Sequence, residues 1–245
     1  MVDRLNSNTP ILNPKLQQVS SHGYKYGVKH FFSTESGPLG NVLVAILSLT
    51  NVEANFLIQL GAVYLNGARV KTNSNKDPEP IVQAGDLLRV HTTPRRFEIN
   101  HDWKNLIVFD HPGFVILNKP PNIPSHPSVD NILENALTQA SLSTQTELLI
   151  SHRLDSLTEG LIVYGKNKSF VRCFNQMLSH GLVEKHYVAL TELGPDLLAR
   201  GKKRLIHFMK PDPRAPKIVS DTKTEDWLQC ELETPPRSAR RCAAT

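Results

Sequence analysis

The chain has 245 residues, 40% of them apolar and 21% charged, which is enough for a small domain beside a medium one and balanced for a globular fold. No apolar run approaches the roughly 20 residues of a membrane helix, so no membrane association is expected. A formal net charge of +5 from 28 Lys/Arg against 23 Asp/Glu suits a nucleic-acid partner.

Residues 1–30 are polar and aperiodic apart from Tyr24 and Tyr26, and read as an extension. Pro38 suits a first helical turn, and Leu39, Val42, Leu43, Ile46 and Leu47 then fall at helical spacing. Thr50 can cap a second helix carrying Val52, Phe56, Leu57 and Leu60, with Gly61 at its end. The period then changes to two. Residues 63–70 form a hairpin signal around Asn66-Gly67, and after a polar loop at 71–80 the Gly85-Asp86 turn leads into another strand. Residues 94–104, beginning Pro94-Arg95-Arg96, read as a linker.

A second hairpin follows: strands at 106–109 and 114–117 flank an Asp110-His111-Pro112-Gly113 turn and lead to Asn118-Lys119-Pro120-Pro121. Prolines at 120, 121, 124 and 127 forbid a helix and hold the chain extended past Ser125-His126-Pro127. Residues 131–139 resume a helical pattern. Residues 151–165 place a polar turn bearing Asp155 directly before an apolar strand. Asn167 can cap the next helix, with Phe170, Cys173, Phe174, Met177 and Leu178 on its inner face and Gly181 beyond its end. Strands are expected at 184–190 and again at 227–233.

The charge is uneven: residues 1–196 hold 17 basic and 17 acidic side chains, and residues 197–245 hold 11 and 6. Phosphate-seeking charge is therefore weighted to Lys202, Lys203, Arg204, Lys210 and Arg214. Cys173, Cys230 and Cys242 have no zinc-finger spacing, and His126, His152 and His186 give no two ligands on one helix face, so no metal site is expected. The sparse cysteines point to a reducing, intracellular compartment, either the cytoplasm or an organelle such as a chloroplast or mitochondrion.

Leu57-Ile58, Gly61, Val63, Asn66-Gly67, Val70 and Gly85-Asp86 follow two short helices in an order that resembles the S4 RNA-binding module, here residues 31–93. Such modules carry basic residues on the helix before the hairpin. Residues 51–59 hold Glu53 and neither Lys nor Arg, so RNA contact is expected to fall on Arg69, Lys71 and Lys76.

Taken alone, Asp155 is a turn former or a partner of Arg153. His152-Arg153-Leu154-Asp155, followed by Thr158 and Gly160, a strand, a helix and then Lys185, Tyr187 and Ala189 as Lys-x-Tyr-x-Ala, closely resembles the RNA pseudouridine synthases that act on large-subunit rRNA uridines. Asn118-Lys119-Pro120 and Ser125-His126-Pro127 match that family's entry hairpin. The resemblance implies isomerisation of uridine to pseudouridine in structured RNA, either rRNA or tRNA, by a monomer without a cofactor. A paired base has to be flipped out before it can turn. By resemblance Asp155 is the catalytic carboxylate, acting as nucleophile or base, and Tyr187 stacks on the uracil and handles the C5 proton. Arg153 keeps Asp155 ionised or touches RNA. His152, Thr158, Lys185, Lys119 and His126, with Arg69 and Lys71, are the expected substrate contacts.

The expected fold class is α+β: the S4-like module, then a mixed, mainly antiparallel sheet with flanking helices over residues 105–233. Family members continue to an Arg-Thr-His-Gln type motif whose arginine pairs with the catalytic aspartate, and residues 234–245 do not follow that pattern. The catalytic domain is therefore expected to be incomplete, with an unpaired sheet edge, and the alternative function is a non-catalytic RNA-binding protein of the same descent. Glu159, where Ser is usual, adds a carboxylate near the pocket. A glycosidase using Asp155 with Glu159 is a third reading, without further support in the sequence.

Overall fold

A computed structural model gives the fold of residues 27–70, 79–188, 203–212 and 217–234. Tyr24, Tyr26, Lys71, Lys76, Lys202 and Arg214 lie outside these described residues. The first elements are β1 (Val28–Phe32), β2 (Gly37–Pro38), α1 (Leu39–Leu47), α2 (Asn51–Gln59), β3 (Val63–Leu65), β4 (Ala68–Arg69), β5 (Ile81–Val82) and β6 (Leu87–His91). Helix α1 starts after Pro38 and buries Leu39, Val42, Leu43 and Leu47. Helix α2 has a reciprocal cap: the Thr50 hydroxyl accepts from the Glu53 amide at 3.2 Å, and the Glu53 carboxylate accepts from the Thr50 amide at 2.8 Å. Both helices pack on a four-stranded sheet of order β1-β6-β3-β4 through Leu43, Leu57, Val63, Leu88 and Val90. Strand β1 begins within the stretch expected to be a polar extension; its own sequence gives little signal, and five residue pairs with β6 hold it.

The next elements are α3 (Trp103–Leu106), β7 (Ile107–His111), β8 (Phe114–Lys119), α4 (Ala136–Thr144), β9 (Leu149–Ile150), β10 (Gly160–Gly165) and α5 (Lys168–Ser179). Their sheet has the order β7-β8-β10-β9 over a second core of Trp103, Val115, Leu117, Ile123, Ile162 and Tyr164. Strand β7 runs on to His111, so Pro112-Gly113 alone turns the hairpin. Helix α4 begins five residues later than the periodicity suggests. The Asn131 side-chain oxygen accepts from the Leu133 and Glu134 amides, which offers this stretch a turn in place of a helix, and Asn135 then caps α4 at the Thr138 amide.

Residues 128–134 join the two cores. The Ile132 amide donates to the Leu60 carbonyl at 2.8 Å, Leu133 packs on the first core, and a Cβ on Gly61 would lie 2.9 Å from Ile132 Cδ1. Gly61 also has φ +69°, so both its backbone conformation and the close approach call for glycine. Arg95 and Arg96, expected in a linker, are fixed here instead: the Arg95 amide donates to Asp130, and Arg96 donates from Nε and Nη2 to Glu134.

The chain divides into two compact units, residues 1–184 and 185–245. The second contains β11 (Lys203–Met209), β12 (Val219–Ser220) and β13 (Leu228–Thr234) in a sheet of order β12-β11-β13. Every strand pair among the described residues is antiparallel, and the class is α+β. The strand expected at 184–190 is not formed over 184–188, where no ladder partner is present; 189 and 190 lie outside the described residues.

Candidate active site

The loop between β9 and β10, residues 151–159, carries Asp155 outward on a backbone fixed from beneath. Leu154 is buried, its amide donates to Ser125 Oγ at 3.0 Å, and its carbonyl accepts from the same hydroxyl at 2.6 Å. The Tyr164 hydroxyl donates to the Ser125 carbonyl at 2.6 Å, which ties this contact to β10. Burial pushes the Tyr164 phenol well above its usual range, so it acts only as a neutral donor. Upstream, Ser151 Oγ donates to the Val163 carbonyl at 2.5 Å, and His152 Nε2 accepts from the Val163 amide at 3.1 Å. Downstream, the Thr158 amide donates to the Asp155 carbonyl at 3.0 Å, and Gly160 re-enters the sheet at φ +121°, a conformation open to glycine. The Asp155 carboxylate is exposed above these supports.

Lys119 closes the loop from below. It is fully buried at the end of β8, and its ammonium donates to the carbonyls of Pro120 and Ile123, both at 2.9 Å, and of Ser156 at 3.2 Å. Burial draws its pKa down to about 8, against the opposing pull of the Asp155 and Glu159 carboxylates. Lys119 was expected among the RNA contacts; its ammonium is instead turned into the protein and spent on the loop. His126 is half-buried, with Nδ1 donating to the Pro127 carbonyl at 2.8 Å.

The helix beside this loop completes its support. Asn167 caps α5 at the Phe170 amide, and rings run from Phe114 to Phe170 at 4.7 Å, to Phe174 at 5.8 Å and to His152 at 5.7 Å. The structure therefore brings together Asp155, Thr158, His152, Lys119 and the Ser125-His126 segment. Arg153 is exposed, and among the described residues no ion pair joins it to Asp155, so the side-chain partnership expected between them is not formed. Lys185 and Tyr187 belong to the second compact unit, where both are exposed. Arg69 lies in the first sheet, with its guanidinium on the Tyr64 hydroxyl and the Ser128 carbonyl.

Sequence reasoning missed Ser125, Tyr164 and Ser151 as supports of the loop. The Ser-His-Pro segment was the available signal for Ser125, and Tyr164 sits at an inward position of an alternating strand.

Residues 113–242, just over half of the chain, match the family model described as RNA pseudouridylate synthase. The chain belongs to this family. The matched range of this RNA pseudouridylate synthase family member contains Asp155, its loop and the Lys119 and Ser125 supports. Among curated proteins, RNA pseudouridine synthase 6, chloroplastic, from Oryza sativa subsp. japonica is 34% identical over 167 residues, covering 66% of this chain and 34% of its own length. The protein of the same name from Arabidopsis thaliana is 33% identical over 157 residues, covering 62% and 32%. Ribosomal large subunit pseudouridine synthase C from Buchnera aphidicola is 25% identical over 183 residues, covering 67% and 56%. The chain spans about a third of the length of these two plant relatives.

Proposed function

We propose that this chain carries the catalytic loop of an RNA pseudouridine synthase, an isomerase that converts chosen uridines of structured RNA to pseudouridine. The observation that carries the reading is the Asp155 loop: an exposed carboxylate on a backbone held by Ser125, Lys119 and β10, inside the range that matches the family.

The reaction breaks the C1′–N1 glycosidic bond, turns the uracil and joins C5 to C1′; the C5 proton is lost and N1 regains one, so nothing is oxidised or reduced. A carboxylate beside C1′ serves either as nucleophile or as base, and both roles need it fixed before the base arrives. Buried hydrogen bonds to the loop backbone supply that fixing without consuming the carboxylate oxygens. Arg153, two residues before Asp155 and exposed, is assigned to the RNA backbone near the flipped nucleotide. Tyr187, on the family's Lys-x-Tyr-x-Ala motif, is assigned to stack on the uracil and to take or relay its C5 proton, with Lys185 toward a phosphate. Thr158, within the loop, and His126, beside its Ser125 support, are assigned to the substrate.

Residues 31–93 are assigned as an S4-like RNA-binding module preceding the catalytic region at 105–233. Ribosomal RNA is the favoured substrate class, supported by the name of the Buchnera relative, and an organelle is the favoured compartment, supported by the chloroplastic names of the two plant relatives. To test the substrate class, rRNA and tRNA transcripts lacking modification are incubated with the protein and pseudouridine is mapped by carbodiimide-dependent stops in primer extension. Stops at one or a few rRNA positions are expected; stops confined to tRNA would move the assignment.

A further inference from the structure

Helix α2 gives RNA no cation to meet, since its only charged residue is Glu53, whose carboxylate is spent on the Thr50 cap. The sheet beside it carries the cations instead. The strand registers pair His30 with Arg89, Arg89 with Tyr64, and Tyr64 with Arg69, so these four side chains form one row across β1, β6, β3 and β4. Facing pairs in an antiparallel sheet point to the same side, and this row lies opposite the side that sends Val63, Leu88 and Val90 into the core. Phe32 and Leu87, paired two residues further on, share the row's side and are 69% and 37% exposed.

Tyr64 organises the row. Its hydroxyl donates to the Val129 carbonyl at 2.9 Å and accepts from Arg69 Nε at 3.0 Å and Nη2 at 2.5 Å. The Arg89 guanidinium lies over the Tyr64 ring at 3.7 Å, and the Arg69 guanidinium is 5.1 Å from the ring centre. Arg89 Nε and His91 Nε2 lie buried beside the same ring without a hydrogen-bond partner. His91 registers the charge around it: burial first, then Arg89, Arg69 and His30, hold its imidazole below the usual range against the pull of Asp130. Asp130 itself is engaged by the Arg95 amide and the Ser128 hydroxyl. The row is thus a net positive strip with guanidinium groups held by stacking, and its open end presents an aromatic ring and His30 to solvent.

We infer that this outer sheet face docks an unpaired segment of the RNA substrate, with Arg89 and Arg69 meeting phosphates and Phe32 stacking on a base. The inference rests on the RNA pseudouridine synthase reading above and locates the grip of its first module on the sheet in place of α2. Guanidinium groups already held against a ring lose little freedom when a phosphate arrives, and base stacking on an exposed aromatic is tolerant of sequence.

The test is fluorescence anisotropy of a labelled stem-loop RNA with the full 245-residue chain at several salt concentrations, comparing wild type, Phe32→Ala, Phe32→Trp and Arg89→Gln. Loss of the ring is expected to weaken binding about tenfold, and Phe32→Trp to restore it. Arg89→Gln is expected to weaken binding and to lower the slope of log affinity against log salt by about one. Phe32 is exposed, so its substitution leaves folding intact, which the melting temperature checks. Wild-type affinity in both Phe32→Ala and Arg89→Gln overturns the inference and leaves the synthase reading standing. No RNA binding by the wild-type chain itself overturns the synthase reading and the docking face together.

Discussion

Lys119 shows how a single buried charge can serve the loop that carries Asp155. Three carbonyls hold its ammonium, yet burial still draws its pKa from 10.5 to about 8. The folded-state pKa therefore lies below the unfolded one. Below about pH 8 both states carry the proton and the full cost of burying the ammonium is present. Between about 8 and 10.5 the folded chain sheds the proton while the unfolded chain keeps it, so stability rises with pH across that window. Relative to Lys119→Met, wild type is expected to gain up to about 3 kcal/mol over this range, read as a rising urea midpoint; parallel midpoints for the two proteins would contradict this account of Lys119. Ser125 works by geometry alone. Ser125→Ala leaves the buried Leu154 amide without its acceptor and is expected to cost about 1–3 kcal/mol in urea unfolding. Because Asp155 is the next residue, turnover is expected to fall more than RNA affinity does.

At the scale of elements, the joints carry as much as the cores. Glu134 accepts from Arg96 Nε and Nη2, the Phe97 amide and Asn131 Nδ2, and Arg96 in turn lies 4.4 Å from the ring centre of Phe56 in the first core. Glu134→Ala is expected to destabilise the protein by about 2–3 kcal/mol, short of the loss for a fully buried pair because Arg96 stays partly exposed. A thermal or urea unfolding curve checks it, and a change under 0.5 kcal/mol, the ordinary size for a surface site, would contradict it. The elements legible in the sequence were those with a local signal: the Thr50 cap, the Asn66-Gly67 turn, the Asn167 cap and the alternating run of β10. Strand β1 and helix α3 were not legible, because β6 and the second core select them and their own periodicity does not. Asp155 was legible through its motif. Its supports were less so, since Ser125 meets the loop from 29 positions away in sequence, Tyr164 meets Ser125 from 39 positions away, and both act through hydroxyls that no periodicity marks.

Across the whole molecule, charge separates from chemistry. Residues 1–196 are balanced, with 17 basic and 17 acidic side chains, and the net excess lies in residues 197–245. RNA affinity is expected to fall steeply with salt through phosphate contacts, whereas the proposed isomerisation is expected to depend on the loop held by Ser125, Lys119 and β10. Asp155→Asn is therefore expected to bind RNA at least as well as wild type. The decisive measurement is tritium release from rRNA labelled at uridine C5, with wild type and Asp155→Asn compared at equal RNA occupancy. Release by wild type that disappears in the variant is the predicted result; equal release from both, or none from a folded wild-type chain with RNA bound, would contradict the assignment of Asp155 as the catalytic carboxylate of this chain.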